Sequence, residues 1–499
     1  MATVFLCQCF PAGIDPPSSR SYIEKINILL KSGDTEALQQ TVTNIPDNKR
    51  PGIARELIAT KQFGVAYQIL SVHKIDVSHP RYVDAEWLCG FLCLRRLSNP
   101  HQAGIHFSNM ANSATTFHTK AKSAFWLALA KQEQGNVPDC LFWLAVASQF
   151  SATFYGQLTQ VYLCRVFSKS LKHINHITPF GNGFLHTPVI PSLASWLQSF
   201  VCTEHGGGGI MGQNIAPPLG PNITPPLGPN IAPPGLNNMP PFGPNITPPL
   251  GPNIAPPPRP YTAPPHIAPN LPQMLCSALY KVDHFTVLRV YDMFLRTYAS
   301  PSSDFYPLLT TFVKKEHLNV IYSTMSGSLT KQMCSASDFR DLMEALTHAI
   351  TLNESRFNRV ATSPAGAKGM MQLMPRTAKA EFNHLVKQKL VEPGESFDIC
   401  ATLDNLILGI SHLKTLIGEF GVNVALIASA YNAGAKNVRA WLDTYGDPRT
   451  GAISMLEWVE LIPFKETRLY VQHVLAAFSI YTCLLNTEKL QDWVWSLFL

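Results

Sequence analysis

Charged side chains are scarce in this chain of 499 residues, because Asp, Glu, Lys and Arg make up only 14% of it. The formal net charge is only +6, from 39 Lys+Arg and 33 Asp+Glu residues, and no basic run of the kind that forms a nucleic-acid-binding arm is present. We therefore expect no nucleic-acid partner. Hydrophobic residues reach 46%, which excludes a wholly disordered chain.

Long apolar runs are also missing. None reaches the roughly 18 residues that a membrane-spanning helix needs. The longest candidate, residues 471–485, is short and is interrupted by Gln472 and His473. Residues 4–10 form a brief apolar patch without a positively charged start or a convincing cleavage site. We expect no transmembrane helix, and we interpret residues 1–19 as an N-terminal segment that is at most an atypical export signal.

The cysteines do not form a recognisable framework. There are 11 of them, an odd number, and they lie scattered along the chain. Cys89 and Cys93 are one helical turn apart, but no second Cys or His pair with ligand spacing accompanies them. We predict that both pack in a core, and we expect neither a metal nor a cofactor.

Proline is very unevenly distributed, since residues 206–272 hold 22 of the 40 prolines. An octapeptide recurs there, for example Gly220-Pro-Asn-Ile-Thr-Pro-Pro-Leu. Proline fixes φ and lacks an N–H donor, so neither a helix nor a central strand is expected. We predict a disordered linker of polyproline-II character. It either separates two folded bodies or also serves as a docking array for a partner.

Residues 20–205, before the linker, are predicted to form an α-superhelical domain. Residues 125–130 and 141–147 are apolar segments with helical periodicity, and the chain breaks between them at Gly135. Successive helical hairpins with alanine at their contacts are typical of an α-solenoid. After the linker, residues 273–332 are predicted to be linking helices.

The region from residue 333 to residue 485 carries the residues that suggest chemistry. Apolar periodicity predicts one helix over Asp338–Phe357, with Glu354 in its last turn. A carboxylate near a helix C-terminus faces the negative end of the dipole, and partial burial raises its pKa further. Such a group suits a general acid near neutral pH. Taken alone, Glu354 is more typical of a solvated surface glutamate.

The segment that follows, residues 362–375, is small, glycine-rich and nearly uncharged. Its polar groups are Ser363 and Gln372, while Gly366 and Gly369 permit tight turns close to a ligand. We interpret it as one wall of a catalytic cleft, with a purely structural turn as the alternative.

Four segments, in this order, resemble the catalytic domain of soluble lytic transglycosylases, which has the goose-type lysozyme fold. They are Glu354-Ser-Arg-Phe-Asn, Ser363-Pro-Ala-Gly-Ala-Lys-Gly-Met-Met-Gln-Leu-Met-Pro, Ala430-Tyr-Asn-Ala-Gly and Glu460-Leu-Ile-Pro-Phe-Lys-Glu-Thr-Arg-Leu-Tyr-Val. The resemblance implies a mainly α protein. Its parts would be an N-terminal α-solenoid, the proline-rich linker, a lysozyme-like α domain over residues 333–485 with a small irregular or β wall, and a tail at 486–499.

The resemblance also implies a substrate and a reaction. The substrate is peptidoglycan, cleaved without water between N-acetylmuramic acid and N-acetylglucosamine to leave a 1,6-anhydro end. Glu354 would act first as acid and then as base. The other residues implied to bind the sugars or to hold the site are Ser363, Gln372, Met374, Tyr431 and Glu460. A periplasmic location follows from the substrate, and cell-wall or envelope proteins are candidate partners of the helical domain or the proline-rich repeats.

Two alternatives stay open at this point: a hydrolytic muramidase of the same fold, and an inactive wall-binding scaffold. Glu460 is the natural candidate for a second carboxylate if water is the nucleophile. We further expect that the C-terminal body folds by itself from about Leu275, and that apolar contacts dock it on the helical domain.

Overall fold

The computed structural model describes residues 17–172, 308–325, 336–392, 394–485 and residue 498. The predictions made for the proline-rich segment 206–272, and for most of the two chain ends, lie outside these residues. Every regular element in the described part of the chain is a helix. The predicted fold class, mainly α, is therefore confirmed.

Nine helices occupy the described residues before residue 173. They are α1 (Pro17–Ser32), α2 (Thr35–Thr43), α3 (Arg50–Ala59), α4 (Phe63–Ser71), α5 (Pro80–Arg95), α6 (Pro100–Ser113), α7 (Phe117–Glu133), α8 (Val137–Ser148) and α9 (Phe154–Lys172). Short turns join them, and each helix from α5 to α8 packs on the next. This succession of hairpins confirms the predicted α-solenoid.

The turn between α7 and α8 shows how the local sequence sets one of these hairpins. Gly135 takes a left-handed φ of +75°, which a residue with a side chain adopts only with strain. The Asn136 side chain then accepts a hydrogen bond from the Asp139 N–H and caps α8. Pro138 lies in the first turn, where its missing N–H costs nothing.

Close packing of aromatic rings holds α5, α6 and α7 together. A side chain at Gly90 would place its Cβ only 2.6 Å from the Phe107 ring, so glycine lets α6 approach α5. The Trp126 ring of α7 lies 5.7 Å from that of Phe91. Cys89 and Cys93 are buried in the same core with free thiols, as their sequence context predicted.

Eight further helices lie in the described residues after residue 307. They are α10 (Lys315–Met325), α11 (Ala336–Ser355), α12 (Pro375–Lys387), α13 (Thr402–Phe420), α14 (Val424–Ala433), α15 (Ala435–Tyr445), α16 (Met455–Leu461) and α17 (Lys465–Leu484). Helix α17 packs along α11 and also contacts α14. Fully buried Phe339, Trp458 and Tyr481 contribute to this core.

Residues 356–374, between α11 and α12, form the irregular wall that was predicted. Lys368 makes isolated antiparallel bridges to Thr362 and to Leu373. Gly369 and Gln372 take left-handed φ values of 78° and 46°. These turns fold the segment back on itself beside the C-terminal end of α11.

No single helix in the described ranges is long and apolar enough to cross a membrane. Helices α13 and α14 meet the length and composition criteria only as a pair, and that pair is bent by 120°.

Candidate active site

Glu354 lies in the last turn of α11, and its carboxyl group bonds a tyrosine of α17. The Tyr470 hydroxyl, on α17, donates a hydrogen bond of 2.7 Å to Glu354 Oε1. Burial raises the pKa of Glu354 to about 7, and the charge of Glu466 adds to that rise while the Tyr470 bond opposes it. The carboxyl is therefore protonated in a large fraction of molecules at neutral pH, as a general acid requires.

The backbone beyond Glu354 turns sharply and fixes the end of the helix. Arg356 and Phe357 take left-handed φ values of 52° and 63°, which are strained for residues with side chains. Phe357 is held there because its ring is buried and stacks on Phe312 at 5.7 Å. Ser355 Oγ donates to the Met370 carbonyl at 2.6 Å and ties the helix end to the wall.

The Asn405 side chain on α13 bonds the backbone of the wall. Its Oδ1 accepts from the Met371 N–H at 2.9 Å, and its Nδ2 donates to the Lys368 carbonyl at 2.9 Å. A Cβ at Gly369 would lie 2.3 Å from Asn405 Nδ2, and one at Gly409 would lie 2.2 Å from Met371 Sδ. Both glycines are therefore needed for the wall to lie directly on α13.

Ser363 and Gln372 both brace the wall through their side chains. Ser363 is 6% exposed, and its Oγ accepts from the Ala367 N–H at 2.9 Å. Gln372 Nε2 donates to the carbonyls of Ala361 (3.0 Å) and Gly369 (2.8 Å). The Ser363 hydroxyl proton and the Gln372 amide oxygen are the groups that these bonds leave for a ligand.

Tyr431 and Met374 belong to the same wall. The Tyr431 hydroxyl donates to the Met371 carbonyl at 2.8 Å, so this partly exposed ring on α14 is fixed against the wall. Met374 is the N-cap residue of α12 and is also partly exposed. Ser355, next to Glu354, and Tyr431 thus both bond the same wall segment. Gln372 and Met374 belong to that segment.

Glu460 lies in the protein interior, away from the wall, which corrects its predicted place among the residues that bind the sugars. Its side chain is 0% exposed, and one oxygen pairs with Lys122 Nζ at 2.6 Å. The other accepts hydrogen bonds from Tyr155 and, at 2.8 Å, from Gln472. Burial alone would raise the pKa of Glu460, but the Lys122 and Arg468 charges outweigh burial and lower it. A carboxylate so enclosed can neither contact a sugar nor act as the second carboxylate of a hydrolase.

The bonds of Glu460 form part of a contact between the helical domain and the C-terminal body. Glu457, also buried, accepts from Arg95 Nε at 2.5 Å and from the Arg96 guanidinium at 2.8 Å. Gln157 Nε2 donates to the Ala476 carbonyl at 3.1 Å. Contacts between the two bodies thus include buried ion pairs, and the part of the predicted apolar docking that falls on residues 273–307 lies outside the described residues.

The sequence interpretation assigned no role to several of these residues. Tyr470 lies within the fourth motif, and its spacing of ten residues from Glu460 gave no sign that it meets Glu354. Lys122 and Tyr155 lie 338 and 305 residues from Glu460, so no local pattern could pair them.

Comparisons with known proteins identify the C-terminal region. The transglycosylase SLT domain family matches residues 333–453. A Haemophilus influenzae protein assigned to the soluble lytic murein transglycosylases is 42% identical over 153 residues, which are 30% of this chain and 24% of that protein. The soluble lytic murein transglycosylase of Escherichia coli K12 is 35% identical over 170 residues, or 33% of this chain and 24% of the relative. The chain thus matches about a quarter of the length of these relatives.

Two solved structures resemble the chain more widely but weakly. A lytic transglycosylase from Pseudomonas aeruginosa aligns with 94% of this chain and 67% of its own, at 18% identity and a TM-score of 0.47. The 70-kDa soluble lytic transglycosylase of Escherichia coli aligns with 96% of this chain and 83% of its own, at 14% identity and a TM-score of 0.26. The match at residues 333–453 and the sequence relatives thus show that the C-terminal region is similar to the transglycosylase SLT domain of soluble lytic murein transglycosylases.

Proposed function

We propose that the chain is a peptidoglycan lytic transglycosylase. It cleaves the β-1,4 bond between N-acetylmuramic acid and N-acetylglucosamine and leaves a 1,6-anhydro end. The observation that carries the proposal is Glu354, a carboxyl with a pKa of about 7 held by Tyr470 at the wall of an SLT domain. Peptidoglycan as substrate places the protein in the periplasm.

The proposed mechanism uses one carboxyl group twice. Protonated Glu354 donates its proton to the leaving glycosidic oxygen, and the acetamido oxygen of the muramic residue stabilises the oxocarbenium-like centre. The ionised Glu354 then accepts the proton of the C6 hydroxyl as that oxygen closes the anhydro ring. The Tyr470 hydroxyl supports the second step, because its hydrogen bond favours the carboxylate form.

The wall supplies the proposed sugar contacts. The Ser363 hydroxyl and the Gln372 amide oxygen are a donor and an acceptor for the acetamido group and the ring hydroxyls. Tyr431 and Met374 offer partly exposed apolar surface on which a pyranose ring packs. Because Ser363, Gln372 and Tyr431 are already bonded to the wall, they are oriented before the substrate arrives.

Hydrolysis by water is the second candidate, and one residue favours it. Ordinary glycosidases activate water with a second carboxylate across the bond. Glu460 is enclosed, but Glu466 lies close enough for its charge to raise the pKa of Glu354. Glu466 is therefore the remaining candidate for that base.

The product distinguishes the two reactions. Purified peptidoglycan is digested with the full chain, and the muropeptides are analysed by mass spectrometry. A transglycosylase yields anhydro ends that lack the mass of one water, whereas a hydrolase yields reducing ends. Glu395→Gln, an exposed residue of the same domain, is the matched control and keeps full activity. Reducing ends as the main product would overturn the proposal in favour of hydrolysis.

A further inference from the structure

A buried carboxylate behind the cleft holds a histidine beside Tyr431. Glu381 on α12 is 5% exposed, and its Oε2 accepts from Ser411 Oγ at 2.9 Å and from Thr415 Oγ1 at 3.1 Å. Its Oε1 lies 3.0 Å from His412 Nδ1. Three side chains of α13 thus converge on one carboxylate of α12, which fixes the orientation of the imidazole ring.

The position of His412 on α13 brings it to the substrate wall. Asn405, Gly409 and His412 occur at i, i+4 and i+7, and therefore share one face of the helix. Asn405 bonds the Met371 N–H, and Gly409 lies against the Met371 side chain. His412 continues this face, and its ring centroid lies 5.4 Å from that of Tyr431 at an angle of 53°.

The bond to Glu381 occupies Nδ1 of His412 and leaves Nε2 as the other ring nitrogen. An ionised carboxylate has no proton to give, so Nδ1 is the donor to Glu381, and a ring without a second proton presents the Nε2 lone pair. The His412 side chain is 19% exposed, and within the described ranges no protein group bonds Nε2. An oriented acceptor thus lies beside the ring on which a sugar is proposed to pack.

We propose that His412 binds the substrate through Nε2, accepting a hydrogen bond from a hydroxyl or amide N–H of an N-acetylated sugar, and that Glu381 is its positioning residue. This inference rests on the proposed function, because the ligand is the glycan of that same cleft. The second role open to His412 is purely structural, as a partner that neutralises Glu381.

Two substitutions separate the roles because each keeps a different ring nitrogen. His412→Asn places an amide nitrogen near Nδ1 and retains the bond to Glu381, but it loses Nε2. His412→Gln places its amide near Nε2 and loses the bond to Glu381. Glu395→Gln, at an exposed residue that bonds neither Glu381 nor His412, is the control.

Binding is measured with a tetramer of β-1,4-linked N-acetylglucosamine, by calorimetry, in chains that also carry Glu354→Gln to prevent turnover. One lost hydrogen bond is worth about 0.5–1.5 kcal/mol, so we expect His412→Asn to raise Kd about 3- to 10-fold with the melting temperature unchanged. In the active enzyme the same variant raises KM about as much and leaves kcat within about twofold. His412→Gln keeps a polar group near Nε2 without the bond to Glu381, so it loses less affinity than His412→Asn, and Glu395→Gln binds within about twofold of the parent.

The opposite pattern overturns the inference: His412→Asn binding like the parent while His412→Gln loses stability marks a structural role. Absence of any tetramer binding by the Glu354→Gln parent overturns it as well. Failure of the proposed function appears separately, as intact peptidoglycan after incubation with the wild-type chain.

Discussion

Glu354 and Glu460 are glutamates of the same C-terminal body, and both are closely surrounded by protein atoms, but their surroundings favour opposite protonation states. Glu354 has a neutral partner, Tyr470, and the negative charge of Glu466 nearby, and its pKa rises to about 7. Glu460 has Lys122 and Arg468, and its pKa is lowered. Burial acts on both in the same direction, so the presence of a cation decides which glutamate keeps a proton.

The two sites also share a helix. Helix α17 carries Tyr470, which bonds Glu354, and two residues later Gln472, which bonds Glu460. The contact with the helical domain therefore supports the helix that positions the catalytic candidate. Our expectation that the C-terminal body folds alone from about Leu275 is revised accordingly, since such a fragment leaves the buried Glu457 and Glu460 without the cations of α5 and α7.

The largest effect is expected for Glu354→Gln. The substitution preserves size and removes the titratable proton, and general acid–base catalysis is worth about 100- to 10,000-fold in rate. Since one residue serves both steps, the loss lies at the upper end of this range. The initial rate of muropeptide release measures it, with circular dichroism to show an unchanged fold. A variant that retains a tenth of the wild-type rate would show that another residue is the acid.

Lys122→Met tests how much the buried ion pair of Lys122 and Glu460 contributes to stability. Removing one partner of a buried ion pair costs about 3–5 kcal/mol, because the other charge stays buried. We expect that loss in chemical unfolding at pH 7, and a partial recovery in the double variant Lys122→Met/Glu460→Gln. Lys120→Met, on the same helix and only partly buried, is the control and changes stability by about 0.5 kcal/mol or less. Equal stability of the two single variants would contradict a stabilising interface.

Ionised Glu354 is expected to destabilise the fold at alkaline pH. Its folded pKa of about 7 exceeds the ordinary glutamate pKa of 4.5, so the stability that it contributes is complete below pH 4.5 and is lost as the pH rises through about 7. Each pKa unit corresponds to about 1.4 kcal/mol, so Glu354→Gln is more stable than wild type by about 3 kcal/mol at pH 8. At pH 4 the two are equal. Thermal unfolding at both pH values measures this, and a difference independent of pH would refute the raised pKa.

Tyr470→Phe and Glu466→Gln are expected to move the pH–rate profile in opposite directions. The Tyr470 bond lowers the pKa of Glu354, so its removal shifts the alkaline limb of kcat/KM to higher pH. The Glu466 charge raises that pKa, so its removal shifts the limb to lower pH. The shifts are about one pH unit or less, with a loss of rate of about tenfold for Tyr470→Phe. If both variants shifted the alkaline limb of kcat/KM in the same direction, a group other than Glu354 would control it.

Much of the architecture could be predicted because its causes are local. The predicted helix Asp338–Phe357 and the observed α11 differ by two residues at each end, since periodicity alone specifies it. The irregular wall was predicted from its two glycines, Gly366 and Gly369, and both take left-handed φ values. Glu460 was misplaced because Lys122, the residue that pairs with it directly, lies in the helical domain, whereas its own motif supplies Arg468 as the second cation.

The helices, the order of the four motifs and the position of Glu354 in the last turn of its helix could all be derived from the sequence. These follow from side-chain periodicity and turn chemistry within a few residues. Which carboxylate faces a hydroxyl and which faces a lysine depends on the packed fold, because Tyr470 and Lys122 reach their glutamates across 116 and 338 residues of chain. Protonation depends on those partners and on burial, so the chemistry of each glutamate was fixed when the helices packed.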